Sequence, residues 1–413
     1  MWSRVKRAGR VVLAVLSLGV ALHAGAPEAR AQGFGGPDMM GMMSISKRSL
    51  DSYAVKLGFT PEQAEALRAL HEGYRSEAKK AADEFGKAQR DAMREAQEEQ
   101  DWGAMGKVMA TEGAKLQERM QAAEKQFLDD FRSLCTEEQA AKWPSVERAR
   151  RRDQFMRIGM VSGAGVDVLA AADRTKTAMA GSEAYDAVAE QYELEIDRRL
   201  TEFKRVQEEM QAAQMKQAED GFDLSKMQEM MAKAQEMLRP IVEISTSLRD
   251  TNREYARKLG DLMSEADRAK FGAEIDLRTH PRVYRPSHTA KSLEAALKLK
   301  DLTPEQTEQV RVLRDSYSAD ARGLNTRWAS AIEEQEAKNG GTFGVMTMSF
   351  MGGGDEGADP VRDARKARRD LDKQVLERLN GVLTETQREQ LPSREDEPFN
   401  PMADFMVIEP DAE

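Results

Sequence analysis

Residues 302–331 read LTPEQTEQVRVLRDSYSADARGLNTRWASA, and residues 59–88 read FTPEQAEALRALHEGYRSEAKKAADEFGKA. Each segment opens on a residue suited to cap a helix, Thr303 or Thr60, with Pro at the first helical position. Gln306 and Gln63 follow at the third, where an amide can reach back to the cap. Behind the caps the apolar residues match at one constant offset. Leu67, Leu70, Tyr74, Ala78, Ala81, Phe85 and Ala88 stand against Val310, Leu313, Tyr317, Ala321, Leu324, Trp328 and Ala331. The spacing alternates three and four residues, which lines one face of a helix. The chain is therefore read as long amphipathic helices, and as a chain that repeats itself.

A middle copy carries Tyr185, Val188, Tyr192, Ile196, Phe203 and Val206 in the same register, interrupted at Arg199, and has no capping box in front. The return halves repeat too. Phe127, Phe131, Leu134 and Cys135 precede Thr136, and Trp143 follows it. Tyr255, Leu259, Leu262 and Met263 precede Ser264, with Phe271 after it, and Val375, Leu379, Val382 and Leu383 precede Thr384, with Leu391 after it. Thr136 with Gln139 and Thr384 with Gln387 form further capping boxes, and Ser264 with Asp267 is a fainter one. Each cap is expected to be structural, contributing about 1 kcal/mol. Strand-length β-branched runs do not occur beyond the N-terminal segment, and narrow-striped helices bury their stripe by pairing. The fold expected is all-α: three tandem helical-hairpin repeats of about 120 residues each, near the usual domain size.

Residues 1–31 have the pattern of a secretory signal peptide: basic Arg4, Lys6, Arg7 and Arg10, an apolar run from Val11 to Leu22, and Ala29-Arg30-Ala31 as cleavage site. The apolar run is too short to span a bilayer. The expected organisation is then a Gly/Met-rich lead at 32–48, hairpin unit one at 49–150, a degenerate unit two at 151–277, a linker at 278–290, unit three at 291–391 and an acidic disordered tail at 392–413. Pro240 is expected to kink or break the second return helix.

Charge narrows the function. The whole chain carries −10, and the signal segment a net +4, so the exported chain stands near −14. Such a chain is soluble, self-repelling and a poor binder of nucleic acid. One cysteine, Cys135, allows no internal disulfide, and its slot is filled by Met263 and Leu383 in the sister units, which reads as apolar packing. His71, His280 and His288 stand in no spaced metal or catalytic pattern, and no phosphate loop or nucleophile elbow is present. We expect no enzyme, no cofactor, no metal site and no membrane span. The basic runs Arg148, Arg150, Arg151, Arg152 and Arg365, Lys366, Arg368, Arg369 are expected to be solvated helix faces balanced by nearby acids.

Methionine is the unusual component, at 24 residues. Met39, Met40, Met42 and Met43 cluster in the lead. Met227, Met230 and Met231 lie beside the second turn with Phe222, and Met346, Met348 and Met351 lie in the third turn with Phe343 and Phe350. Flexible, polarizable thioethers suit an adaptable apolar surface. They also suit Cu(I), a soft cation. Ordinary helix packing is the third reading.

Leu302-Thr303-Pro304-Glu305-Gln306 and Leu383-Thr384-Glu385-Thr386-Gln387 are two L-T-x-x-Q motifs flanking one helical hairpin. Unit one repeats them with Phe59 and Cys135 in the first place. Behind a signal peptide, this arrangement resembles the Spy/CpxP-type family of periplasmic LTxxQ proteins. The resemblance implies a four-helix protomer that dimerises into a cradle whose concave face holds unfolded or partly folded clients without ATP.

These readings lead to a periplasmic or otherwise exported ATP-independent chaperone or envelope-stress binding protein. Its partners would be unfolded or envelope proteins, and its contacts the Met clusters with Phe222, Phe343 and Phe350. The alternatives are an adaptor for one envelope partner, or a Met-based copper-binding stress protein. The sequence leaves oligomerisation open.

Overall fold

The computed structural model describes residues 45–99, 102–156, 159–175, 182–219, 227–342 and 359–393; side chains at 99, 102–107, 109, 110, 211–219, 227–235 and 237 are outside the description. Residues 1–31, expected to be a signal peptide, most of the expected lead at 32–48 and the tail from 394 lie outside the described residues. What is described is about 85% helical, without a strand, and all-α. No described helix is long and apolar enough to cross a membrane.

The chain groups into two compact units. The first draws on residues up to Arg157 and on Glu193–Phe222. It opens with α1 (Lys47–Leu57), capped by Ser46, whose side chain accepts from the Ser49 amide, and closed by Gly58 at φ 69°. That left-handed value carries no penalty at glycine. α2 (Pro61–Glu99) and α3 (Trp102–Ser133) follow as an antiparallel hairpin packed along its length. α4 (Glu137–Ala141) and α5 (Trp143–Phe155) complete the run, with α5 lying against α1. The core at the base of the hairpin is aromatic. Tyr74 stacks on Phe127 with centroids 5.2 Å apart, and Phe131 meets Trp143 at 5.1 Å and Phe59 at 5.6 Å, both edge-on. Leu50, Leu57, Leu67 and Val146 close it. A separate cluster of Ala78, Ala81, Phe85, Leu116 and Met120 holds the two helices together further out.

The second unit takes Ile158–Tyr192 and Asp223–Glu409. Its elements are α6 (Val168–Thr175), the start of α7 (Glu183–Glu219), α8 (Met227–Asp261), α9 (Glu265–Thr279), the single turn α10 (Pro281–Tyr284), α11 (His288–Ala296), α12 (Pro304–Asn339), α13 (Pro360–Val382) and α14 (Glu385–Arg388). α12 and α13 form a second closely packed hairpin, and α11 lies against both. Its core is aliphatic: Leu293, Val310, Val375, Leu379 and Leu383 around Tyr317.

The register of the sequence holds in all three copies. Leu67, Tyr74, Ala78, Ala81 and Phe85 are buried, as are Val310, Tyr317, Ala321, Trp328 and Ala331, and Tyr185, Tyr192, Ile196 and Phe203. Four features differ from expectation. First, the twofold grouping divides the middle repeat. Residues 183–192 of α7 belong with the second unit and 193–219 with the first, so the expected hairpin over 151–277 is not a compact unit of its own. The position matching Thr60 is Ala178, and Ser182, four residues on, caps α7 instead by accepting from the Tyr185 amide at 3.3 Å. Second, α8 runs unbroken through Pro240. Glu236 and Pro240 are both exposed, so water can serve the freed carbonyl while Ile241, Ile244 and Leu248 anchor the buried face. Third, the 278–290 segment is folded: His280, Pro281 and Val283 are buried, and Pro281 starts a helical turn. Fourth, the basic run of α5 faces acids inside the first unit. Arg150 meets Glu124 at 2.6 Å, Arg151 meets Asp197 at 2.7 Å, and buried Arg152 meets Glu193 at 3.2 Å.

Candidate functional site

The cap motifs do more than start helices. Thr60 and Gln63 exchange hydrogen bonds between side chain and backbone, as do Thr136 with Gln139, Thr303 with Gln306, and Thr384 with Gln387. Ser264 accepts from the Asp267 amide, but its hydroxyl donates to the Asp267 carboxylate, so the reciprocal box is incomplete. Each glutamine that completes a box has donors left over, and these join the two motifs of a repeat. In the first unit the Gln63 amide donates to Gln139 Oε1 and to the Leu134 carbonyl, both at 2.8 Å. Gln139 donates back to Gln63 Oε1 at 3.0 Å and to the Gly58 carbonyl at 3.1 Å. In the second unit Gln306 donates to Gln387 Oε1 at 3.1 Å and to the Val382 carbonyl at 2.9 Å, and Gln387 donates to the Asp301 carbonyl at 3.0 Å. An L-T-x-x-Q pair is thus a clasp. It closes the open end of a hairpin and satisfies carbonyls that the neighbouring helix ends leave free.

Above the clasp the two hairpins differ. In the second unit Tyr317 is the hub of a polar cluster. Its hydroxyl donates to Asp372 Oδ1 at 2.7 Å and lies 2.7 Å from both Ser287 Oγ and Arg368 Nη2. Arg368, buried, pairs with Asp372 at 2.5 Å and donates to Asn325 at 2.9 Å. Burial pushes the Tyr317 hydroxyl above its ordinary range, and hydrogen bonding to Asp372 adds to that. In the first unit the matching Tyr74 hydroxyl is buried beside the Ile45 carbonyl, without a well-formed hydrogen bond among the described residues, and burial pushes it up to about 12. The nearby His71 gives its Nε2 to the Ile45 carbonyl at 2.6 Å, and burial holds its pKa below the usual histidine value.

Two other carboxylates, buried Glu193 and half-buried Glu333, are each held by basic side chains. Glu193 sits between Arg152 and Lys56; burial opposes its ionisation, but the two cations outweigh burial and hold the carboxyl below its usual range. Glu333 accepts from His280 Nε2 at 2.9 Å and pairs with Arg253 at 2.5 Å, which brings it down to about 2, led by the His280 hydrogen bond. Each carboxylate is thus held by basic side chains of its own unit. Among the described residues no group of three His, Cys, Asp or Glu could hold a metal ion. His280 and His288 are engaged separately, the second with the Pro392 carbonyl at 2.9 Å. Cys135 is half-buried rather than buried, and burial raises its thiol pKa.

The client contacts expected from the sequence are not joined into a surface here. Met39, Met40, Met42, Met43, Phe222, Phe343, Met346, Met348, Phe350 and Met351 lie outside the described residues, and Met227, Met230 and Met231 are described in backbone alone, on the first turn of α8 and just beyond it. Large apolar side chains exposed among the described residues are few: Val55, Met93 and Leu194 in the first unit and Val312 in the second.

No protein-family model matches the chain, and neither does any curated protein or solved structure.

Proposed function

We propose that the protein is an exported, ATP-independent chaperone or envelope-stress binding protein that holds unfolded or partly folded clients on its helical hairpins. The observation that carries this reading is the clasp. Two T-x-x-Q motifs that lie far apart in sequence meet through reciprocal glutamine amides, once in each unit, with the leading Leu present only in the second. This gives the motif pair a shared structural task and so supports the likeness to Spy/CpxP-type proteins that the sequence suggests. The N-terminal segment with export features and the Met-rich stretches beside the hairpin turns point the same way. Binding would be weak, fast and promiscuous, as flexible Met-rich surfaces allow.

The test is suppression of aggregation by Gln32–Glu413, without nucleotide, when a chemically unfolded protein is diluted into buffer. Suppression near stoichiometric ratios, absent with an inert control protein, is the expected result. Absence of suppression across several clients and salt concentrations would replace this reading with the adaptor reading, and capture of one stoichiometric envelope partner would then be sought.

A further inference from the structure

α13 carries its charge unevenly. Arg362, Lys366, Arg369 and Lys373 follow one another at four, three and four residues, and Arg365 stands just before Lys366. That spacing lines one side of the helix. All five side chains are exposed. Arg368, Val375 and Leu379 mark the side turned to the core, and Asp363 and Asp370 fall further round, beyond the basic stripe.

The stripe is poorly answered by its own helix. Arg362 meets Asp363 at 3.9 Å and Lys373 meets Glu377 at 4.0 Å, both long and both between exposed side chains. Arg365, Lys366 and Arg369 make no ion pair among the described residues. Cations four residues apart on a helix repel, and here Arg362 faces Lys366, Arg365 faces Arg369, and Arg369 faces Lys373. A helix built this way gains from an anion laid along it.

The chain holds such an anion. Residues 394–413, outside the described structure, carry seven acids against one arginine, a net −6, with Glu395, Asp396 and Glu397 consecutive near the start. The point of departure of this segment is set by α11. His288, its first residue, has Nε2 2.9 Å from the Pro392 carbonyl. The start of α11 is in turn held on α13: Ser287 donates to Asp372 Oδ1 at 3.0 Å, and Thr289 to the Asp372 carbonyl at 3.1 Å. The segment therefore sets out near the level of Lys373. From there Arg362 lies about 15 Å along the helix axis. An extended chain covers that distance in about five residues, which puts the Glu395–Glu397 triplet within reach of the whole stripe.

We propose that the cationic side of α13 is a docking surface for an acidic, extended stretch of chain, and that residues 394–413 of this chain are its occupant. The contact is electrostatic and exposed, so salt weakens it. Tethering compensates, because a segment joined close to its site acts at an effective concentration in the millimolar range. The inference stands apart from the chaperone reading, since neither a client nor the Met clusters enter it.

The test is carbodiimide cross-linking of Gln32–Glu413, which joins a lysine amine to a carboxylate in contact with it, read by peptide mass spectrometry. Lys366 and Lys373 report from the stripe, and the exposed Lys298 and Lys300 report from elsewhere in the same unit. Cross-links from Glu395, Asp396 or Glu397 are expected at Lys366 or Lys373 at least about fivefold over Lys298 and Lys300. They should fade at about 1 M salt, where the Debye length is about 3 Å. Arg365→Glu/Arg369→Glu keeps both reporter lysines and should bring the stripe yield down to the Lys298 level, with α13 still protected in hydrogen exchange. Arg365→Gln/Arg369→Gln should act in the same direction and less strongly. Equal cross-linking at all four lysines, none at any, or a yield unmoved by salt and by both variants overturns the proposal. So does cross-linking found only between light and heavy copies in an isotopically mixed sample, which makes the occupant a second chain.

Discussion

The α2–α3 hairpin and the α12–α13 hairpin have the same frame and different interiors. Both are closed by two Thr/Gln caps joined through a glutamine pair, and both bury the same register positions. Yet Tyr74 lies on Phe127 in an aromatic stack with its hydroxyl poorly bonded beside the Ile45 carbonyl, while Tyr317 binds Asp372, Ser287 and Arg368. The difference teaches that the repeat is specified at its ends. Capping and the clasp demand particular atoms at particular positions, whereas a two-helix interior needs only compatible volume and satisfied polar groups. If this is right, the first hairpin is held by packing and the last by packing plus charge, and substitutions should separate them.

The largest loss is expected in the aromatic hairpin. Phe131→Ala removes a fully buried ring that touches Phe59, Phe127 and Trp143, and should cost about 4 kcal/mol. Segment-resolved hydrogen exchange should show the loss in α1–α5 and leave α12–α13 protected. In the last hairpin Arg368→Ala strips a buried cation from Asp372 and Tyr317, and about 3 kcal/mol is expected there. Tyr317→Phe, which removes the hub oxygen alone, should cost about 1–2 kcal/mol. A loss in α12–α13 from Phe131→Ala, or none from Arg368→Ala, would break the comparison.

The shared frame is tested next. Gln306→Ala removes an amide that donates to Gln387 and to the Val382 carbonyl while also accepting from the Thr303 amide. A loss of about 2 kcal/mol is expected, with a similar loss for Gln63→Ala in the other unit. The double variant Gln306→Ala/Gln387→Ala should cost less than the sum of the two singles, because the residues share a bond. Strict additivity in that double-mutant cycle would mean that each glutamine is a local cap and nothing more.

That clasp marks the limit of what the sequence could show. The apolar stripe and the helix starts at Thr60, Thr136, Thr303 and Thr384 were legible because each depends on residues within a few positions. The clasp was not, because one local task, reaching back to the cap, already accounted for each glutamine. The fate of the arginines was hidden for a similar reason. Arg151 and Arg152 look solvated beside Glu147, but their partners are Asp197 and Glu193, on a different helix. Arg368 looks like part of a basic face, and only the positions of Tyr317 and Asn325 make it interior. The irregular segment at 159–167 shows no helical periodicity, and much of its hydrogen bonding goes to side chains on distant helices.

Acid should separate the two regions by its onset. His71 in the first hairpin has a folded pKa below its ordinary 6.5, so folding favours its neutral form. Its contribution is complete above that value and is lost as pH falls below it. Glu333, in the second unit, is lowered from 4.5 to about 2 by His280 and Arg253. Its contribution is complete above about 4.5 and is lost as pH falls toward 2. Exchange protection around α2 should therefore begin to weaken at a higher pH than protection around α12. His71→Gln should move the first onset and Glu333→Gln the second, each without moving the other.

The smallest effect expected is the most discriminating. Tyr74→Phe keeps the stack on Phe127 and deletes a buried hydroxyl that leans on the Ile45 carbonyl, which already accepts from His71. Removing a buried hydroxyl so poorly satisfied returns most of its desolvation cost, so the change should lie within about 0.5 kcal/mol of zero or stabilise slightly. The same substitution at Tyr317 empties a hub. Because the two tyrosines stand fourteen residues after matching Thr caps on two long helices, their ratio is an internal control: ring size and the capped frame are alike, and the chemistry facing the hydroxyl differs. A clear loss at Tyr74, measured by urea denaturation followed through Trp143, would mean that its hydroxyl is paired in solution. The interiors of the two hairpins would then be closer in kind than their geometry makes them.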